Sequence, residues 1–133
     1  MVIEYCKTLS VQLVRESPEK IYIYGDNLKH LGKGGQAIIR DEPNAFGIPT
    51  KRYPSWDDWA FFSDKPDEIE AVKGSLRSLY KIAQNKVIVF PEDGIGTGRA
   101  KMKEKSPVAY EMMCGILLEH FGILNGVTNG ERL

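Results

Sequence analysis

The chain has 133 residues, enough for one domain (1–133) with its own core, since a chain of this size buries about 65–70% of its unfolded surface. Eighteen basic and eighteen acidic side chains balance to a formal charge of zero, which argues against general affinity for nucleic acid or an anionic membrane. Apolar and charged fractions of 42% and 27% are those of a globular protein rather than a disordered one.

Residues 2–5 read as a short strand, and "LSVQLVRE" as a short helix with Leu9, Leu13 and Val14 on one side, stopped before Pro18. "KIYIY" (20–24), β-branched and aromatic and bounded by Pro18 and Gly25, is a strand. Gly35 to Arg40 begins a helical turn or more, and "AFGIPT" (45–50) is a short strand or extended segment. "YPSWDDWAFFSDKPD" is read as irregular with at most one strand, its Trp56 and Trp59 counted, like Tyr24 and Phe46, as core residues or as a platform for a base. A helix then starts at Pro66, where Asp67, Glu68 and Glu70 suit the positive end, and buries Ile69, Val72, Leu76, Leu79, Tyr80 and Ala83. "KVIVF" (86–90) is a buried strand. The last helix has Ser106 as N-cap, Pro107 at its first position and Gly122 as C-cap, with Tyr110, Met113, Cys114, Leu117, Leu118 and Phe121 in its apolar stripe. The tail "ILNGVTNGERL" is left as an added edge strand or a frayed end.

Two cysteines far apart, Cys6 and Cys114, form no CxxC motif, and His30 and His120 have no cysteine or carboxylate at ligand spacing, so neither a metal site nor a cofactor is expected. No apolar run approaches the roughly 18–20 residues of a membrane span, and "MVIEYCKTLS" lacks the regions of a signal peptide, so a cytoplasmic protein is expected.

Strands alternating with helices imply an α/β fold whose ligand crevice lies at the strand C-termini. Two glycine-rich loops follow apolar strands: "GDNLKHLGKGG" after residue 24 and "PEDGIGTG" after residue 90. They are therefore expected on one rim of the sheet, where bare backbone N–H groups suit phosphate oxygens. The first loop fails as a P-loop, because Gly34 follows Gly32-Lys33 where Ser or Thr is required. Gly32, Gly34 and Ala37 match G-x-G-x-x-A, but seven residues separate that run from Tyr24, so a dinucleotide-binding dehydrogenase is a poor fit. Near the loops, Asp26 and Asn27 face a ligand or form an Asx turn, Gln36 faces a ligand or solvent, and Lys51 is a candidate phosphate partner. Asp93 caps its loop or accepts from a base or ribose.

Gly25-Asp26-Asn27-Leu28, Gly32-x-Gly34-Gly35-Gln36-Ala37, "PNAFGIPTK" and "DGIGTG" with Ala100 resemble, from about Tyr22 to Pro107, a small family found in phages and bacteria that is itself similar to a trimmed macro domain. The resemblance implies a compact three-layer fold with a central mixed sheet and flanking helices, and a site for ADP-ribose. It places Asn27 near the distal ribose, Gly32, Gly34 and Gly35 along the first phosphate loop, and Gly94, Ile95, Gly96, Thr97 and Gly98 around the pyrophosphate; Gly25, Asp26, Gln36, Thr50, Lys51 and Asp93 complete the candidate site. Only the last asparagine of the usual Asn-Ala-Ala-Asn turn is present, and the chain is shorter than most macro domains. The leading expectation is a binding module that sequesters a host immune nucleotide, a cyclic or conjugated ADP-ribose, in the host cytoplasm if the protein is phage-encoded. The alternatives are an ADP-ribosyl hydrolase or cyclic-nucleotide phosphodiesterase, with Asp26, Asn27, Asp93 or Glu92 handling water, and a protein-interaction domain using residues 53–62. A two-fold homodimer is compatible with the sequence, though nothing in it requires one.

Overall fold

The computed structural model describes residues 1–126. Four strands, β1 (Val2–Cys6), β2 (Ile21–Asn27), β3 (Ala45–Lys51) and β4 (Val87–Pro91), form one sheet in the order β1-β4-β2-β3, and every pair is parallel. The sheet expected to be mixed is thus parallel throughout among the described residues; the antiparallel contact is an isolated bridge between Lys51 and Phe61. The reason is in the connections: each strand is followed by a crossover of ten residues or more, long enough to return the chain to the same end of the sheet. Residues 127–133, part of the tail read as an edge strand or frayed end, lie outside the described residues.

The helices are α1 (Val11–Glu16), α2 (Pro66–Ile82), α3 (Met102–Lys105) and α4 (Pro107–Phe121), with 3-10 turns at Gly35–Ile39 and Asp58–Ala60. Alternation in β2 divides the core. Ile21 and Ile23 join Ile48, Val72, Leu76, Ile88, Phe90, Met113 and Leu117 on the face covered by α2 and α4. Tyr22 and Tyr24 point the other way and pack with Val14, Ala37 and Ile39 beneath α1 and the first 3-10 turn. β2 and β4 are central, covered on both faces, and hence almost continuously apolar.

The long helices follow their end signals. α2 begins at Pro66, and the chain leaves α4 at Gly122 with φ 69°. Their stripes are narrower than expected: Tyr80 and Leu118 are exposed, while Tyr110 and Cys114 are half-buried. Ser106 precedes α4 but does not cap it with its own side chain. Its hydroxyl instead donates to Asp64 Oδ1, and the Asp64 carboxylate accepts from the N–H groups of Val108 and Ala109. The cap thus arrives from a segment more than forty residues away. Glu68, in the first turn of α2, is fully buried, paired with Arg52 at 2.7 Å and accepting from the N–H groups of Ser63 and Lys65.

Candidate functional site

Parallel strands place Asn27, Lys51 and Pro91 at one edge of the sheet, and the two glycine loops meet there. Between them lies a cavity of about 350 Å³. Every candidate ligand-binding residue lines it except Ile95, which is 1% exposed and belongs to the core; Glu92, a candidate for handling water, is not in the lining. Of the candidate stacking aromatics the cavity takes in Trp56, and it adds Leu31, Ala37, Pro54, Ser55, Arg99 and Ala100 to the candidate site.

Strand β2 runs three residues further than its apolar pattern, so Asp26 and Asn27 are strand residues and both are buried. The Asn27 side chain makes the Asx turn: Oδ1 accepts from the N–H groups of Lys29 and Leu31, and Nδ2 donates to the Leu31 carbonyl. Asp26 is equally occupied. Its Oδ1 accepts from the Asn27 N–H at 2.7 Å and from Arg40 Nη1 at 2.5 Å, and Oδ2 meets His30 Nδ1 at 2.7 Å. Arg40 also donates to the carbonyls of Leu31 and Gly32, so one guanidinium holds both the carboxylate and the loop. Room for the carboxylate comes from Gly47 on β3, where a Cβ would stand 2.8 Å from Asp26 Oδ2. A carboxylate so fully bonded is a poor general base, which removes Asp26 from the catalytic candidates on geometric grounds. The Asp26–His30 contact also corrects the expectation that neither histidine has a carboxylate neighbour; it is a single pair, and among the described residues no group of three or more metal-ligating side chains comes together.

Gln36 faces neither solvent nor open cavity alone. Its Oε1 accepts from the Gly25 N–H at 2.8 Å and its Nε2 donates to the Gly94 carbonyl at 2.9 Å, joining the loops across the site. Thr50 hydrogen-bonds the Asp26 carbonyl. The second loop is anchored by Asn125, which accepts from the Ile95 N–H and donates to the Ile95 carbonyl. Gly94 has φ 81°, and a Cβ there would lie 2.5 Å from the Gly126 nitrogen, so both conformation and space demand glycine. Thr97 Oγ1 donates to the Asp93 carbonyl.

The polar groups left over have one character. The N–H groups of Gly96, Thr97, Gly98, Arg99 and Ala100 donate to no acceptor among the described residues, although Gly96 and Ala100 are buried. On the first loop those of Gly32 and Gly34 are likewise unused. Two cations line the same space. Lys51 donates to the Ser55 carbonyl and lies 5.2 Å and 4.4 Å from the ring centres of Trp56 and Phe61. Burial lowers its pKa, and the nearby positive charge of Arg99 lowers it further. Arg99 has no hydrogen bond or ion pair among the described residues. Asp93 is exposed, and its carboxylate also has no such partner. Buried donors without acceptors and cations without counter-ions are the two features of a site for an anion.

The helical turn expected after the first loop is a five-residue 3-10 turn, so it brings no α-helix dipole to the site. Trp56 and Trp59 are 65% and 60% exposed, not core; the burial falls on Phe61 and Phe62 instead. Arg99 and Arg40 were legible only as charges beside glycine runs; Arg40 finds its partners in Asp26 and the first loop, and Arg99 its position against Gly34 of the opposite loop.

The fold and cavity define an α/β protein with a glycine-walled polar pocket at the carboxyl edge of a parallel sheet. The chain belongs to a family of unknown function, DUF7831, whose profile matches residues 4–116. No curated protein and no solved structure matches the chain. Among the described residues no helix is long and apolar enough to cross a membrane.

Proposed function

We propose that this chain is a binding module for an ADP-ribose-like nucleotide, held by its diphosphate on a macro-domain-like scaffold. The observation that carries the reading is the run of five successive N–H groups, Gly96 to Ala100, without acceptors among the described residues, in residues that line the cavity. Phosphate oxygens are the acceptors such a run selects, and Lys51 and Arg99 supply the matching charge. The volume is at the lower end for small-molecule sites, enough for the diphosphate and part of a nucleoside. Exposed Trp56 at the wall offers a stacking face for the rest. In the phage setting that the motif resemblance suggests, such a pocket serves to sequester a host immune nucleotide, a cyclic or conjugated ADP-ribose.

The hydrolase alternative keeps one candidate, Asp93, whose carboxylate has no partner among the described residues and lines the cavity. The interaction-domain alternative draws on Trp59, which is exposed, packs on Tyr53 and does not line the cavity.

Incubation of the protein with ADP-ribose derivatives, cyclic ADP-ribose isomers and cyclic dinucleotides, removal of free ligand, denaturation and mass spectrometry tests the proposal. An intact nucleotide released near one per chain is the expected result. Cleaved product in excess of protein makes it an enzyme, and Asp93→Asn is then the first variant. A protein that neither retains nor converts any of these nucleotides overturns the nucleotide reading. Gly98→Leu sharpens the test: a Cβ at residue 98 meets nothing within 4 Å and the backbone there is not left-handed, so the variant folds with a side chain added to the cavity wall. Retention is lost while the Tm stays at the wild-type value.

A further inference from the structure

We infer that Arg99 and Lys51 form a two-cation clamp that selects a diphosphate over a single phosphate, with the Arg99 guanidinium lying across the cavity from the second loop onto the Gly34–Gly35 peptide of the first. The inference rests on the anion-pocket reading and adds to it the residue that makes it selective.

The geometry begins at Gly34. A Cβ there would lie 2.6 Å from Arg99 Nη1, and one at Gly35 would lie 3.8 Å from its Cζ. The guanidinium therefore rests against bare backbone of the opposite loop, and glycine at residue 34 makes that approach possible. Arginine presents five donors in a rigid plane suited to phosphate oxygens. Elsewhere in the molecule most arginines of the described core region use that plane on protein acceptors: Arg15 on Glu42, Arg40 on Asp26, and Arg52 on Asp67 and Glu68. Arg99 has no carboxylate partner among the described residues, although Asp93 lies on the same loop and lines the same cavity.

Lys51 approaches from the end of β3. Its ammonium is held by the Ser55 carbonyl and by the rings of Trp56 and Phe61, none of which neutralises it. The two cations stand near enough that the Arg99 charge adds to burial in depressing the Lys51 pKa. Like charges lining one cavity repel, and an anion between them removes the repulsion as well as gaining two attractions. A single phosphate satisfies one cation fully; a diphosphate offers an oxygen set to each. The unused N–H groups of Gly96 to Ala100 lie on the loop that ends in Arg99, so backbone donors and guanidinium converge on the same ligand group.

The test uses inorganic pyrophosphate and inorganic phosphate as probes, titrated by calorimetry into wild type, Arg99→Gln, Arg99→Lys and the exposed control Arg77→Gln on α2. Wild type is expected to bind pyrophosphate more tightly than phosphate. Arg99→Gln loses about tenfold or more in pyrophosphate affinity, the size of a lost charge-assisted hydrogen bond, and loses most of the preference. Arg99→Lys recovers part of the affinity, and Arg77→Gln matches wild type. All four keep the same Tm without ligand, because Arg99 has no hydrogen bond or ion pair among the described residues. Equal pyrophosphate affinity in wild type and Arg99→Gln overturns the clamp, as does wild type that binds neither probe. Pyrophosphate binding that depends on Arg99, in a protein that retains no nucleotide in the mass-spectrometric assay, supports the clamp and overturns the nucleotide reading alone.

Discussion

Replacing Arg40 by methionine tests whether the buried Asp26–Arg40 pair holds the first loop. The side chains are 3% and 11% exposed, so neither charge is screened by solvent in the way of a surface pair. Methionine fills a similar volume but leaves Asp26 with only the Asn27 N–H and His30 as partners; it frees the Gly32 carbonyl and leaves that of Leu31 to the Asn27 side chain alone. Stranding a buried carboxylate costs about 3–5 kcal/mol. For a chain of this length that corresponds to a fall in Tm of roughly 10–15 °C. Urea unfolding at pH 7 measures it as a lower midpoint at unchanged slope. The double variant Asp26→Leu/Arg40→Met removes both charges and recovers most of the loss, because a buried pair exchanged for apolar groups is close to neutral. A loss of less than about 1 kcal/mol in Arg40→Met, the range of an exposed pair, would refute the argument. So would a double variant no more stable than the single one.

Two further outcomes follow from hydrogen bonds that cross the fold. Gln36→Leu strands the Gly25 N–H and the Gly94 carbonyl, costs about 2 kcal/mol in urea unfolding, and speeds hydrogen exchange at the Gly25 amide; exchange at the wild-type rate would show that the loops are not joined there. Asp64→Asn, at a φ of 61° that asparagine tolerates, weakens the cap of α4 by about 1 kcal/mol at pH 7. Burial pushes the Asp64 carboxyl up, but hydrogen bonds from the Ala109 N–H, the Ser106 hydroxyl and the Val108 N–H outweigh it and hold the group below the usual carboxylate range. A depressed folded pKa stabilises above the unfolded value of about 3.9, and that stability is lost as pH falls through the folded value. Wild type and variant therefore differ at pH 7 and converge as pH falls through the folded value, beneath the usual carboxylate range; a difference that persists in stronger acid would count against the carboxylate as the cap.

The elements of this fold are written locally. Ile21 and Ile23 alternate with Tyr22 and Tyr24, which is enough to make β2 a strand with two covered faces. Pro66, Pro107 and Gly122 punctuate the long helices because their effects on φ and on the N–H act within one turn. The meeting of the two glycine loops was also legible: strands that alternate with helices run parallel, and parallel strands end on the same rim.

What crosses the chain had no such signature. Gln36 joins Gly94 over 58 residues, Asp64 caps a helix that starts more than forty residues later, and Arg99 rests on Gly34 from the far loop. Asp26 read as a candidate base until Arg40 and His30 closed around it. Trp56 and Trp59 read as core until Phe61 and Phe62 took the interior. Periodicity and capping are short-range, with contacts at two, three or four residues that any window of sequence displays. The partner of a buried charge or a free donor is chosen by packing, which brings distant residues together with no period to announce them.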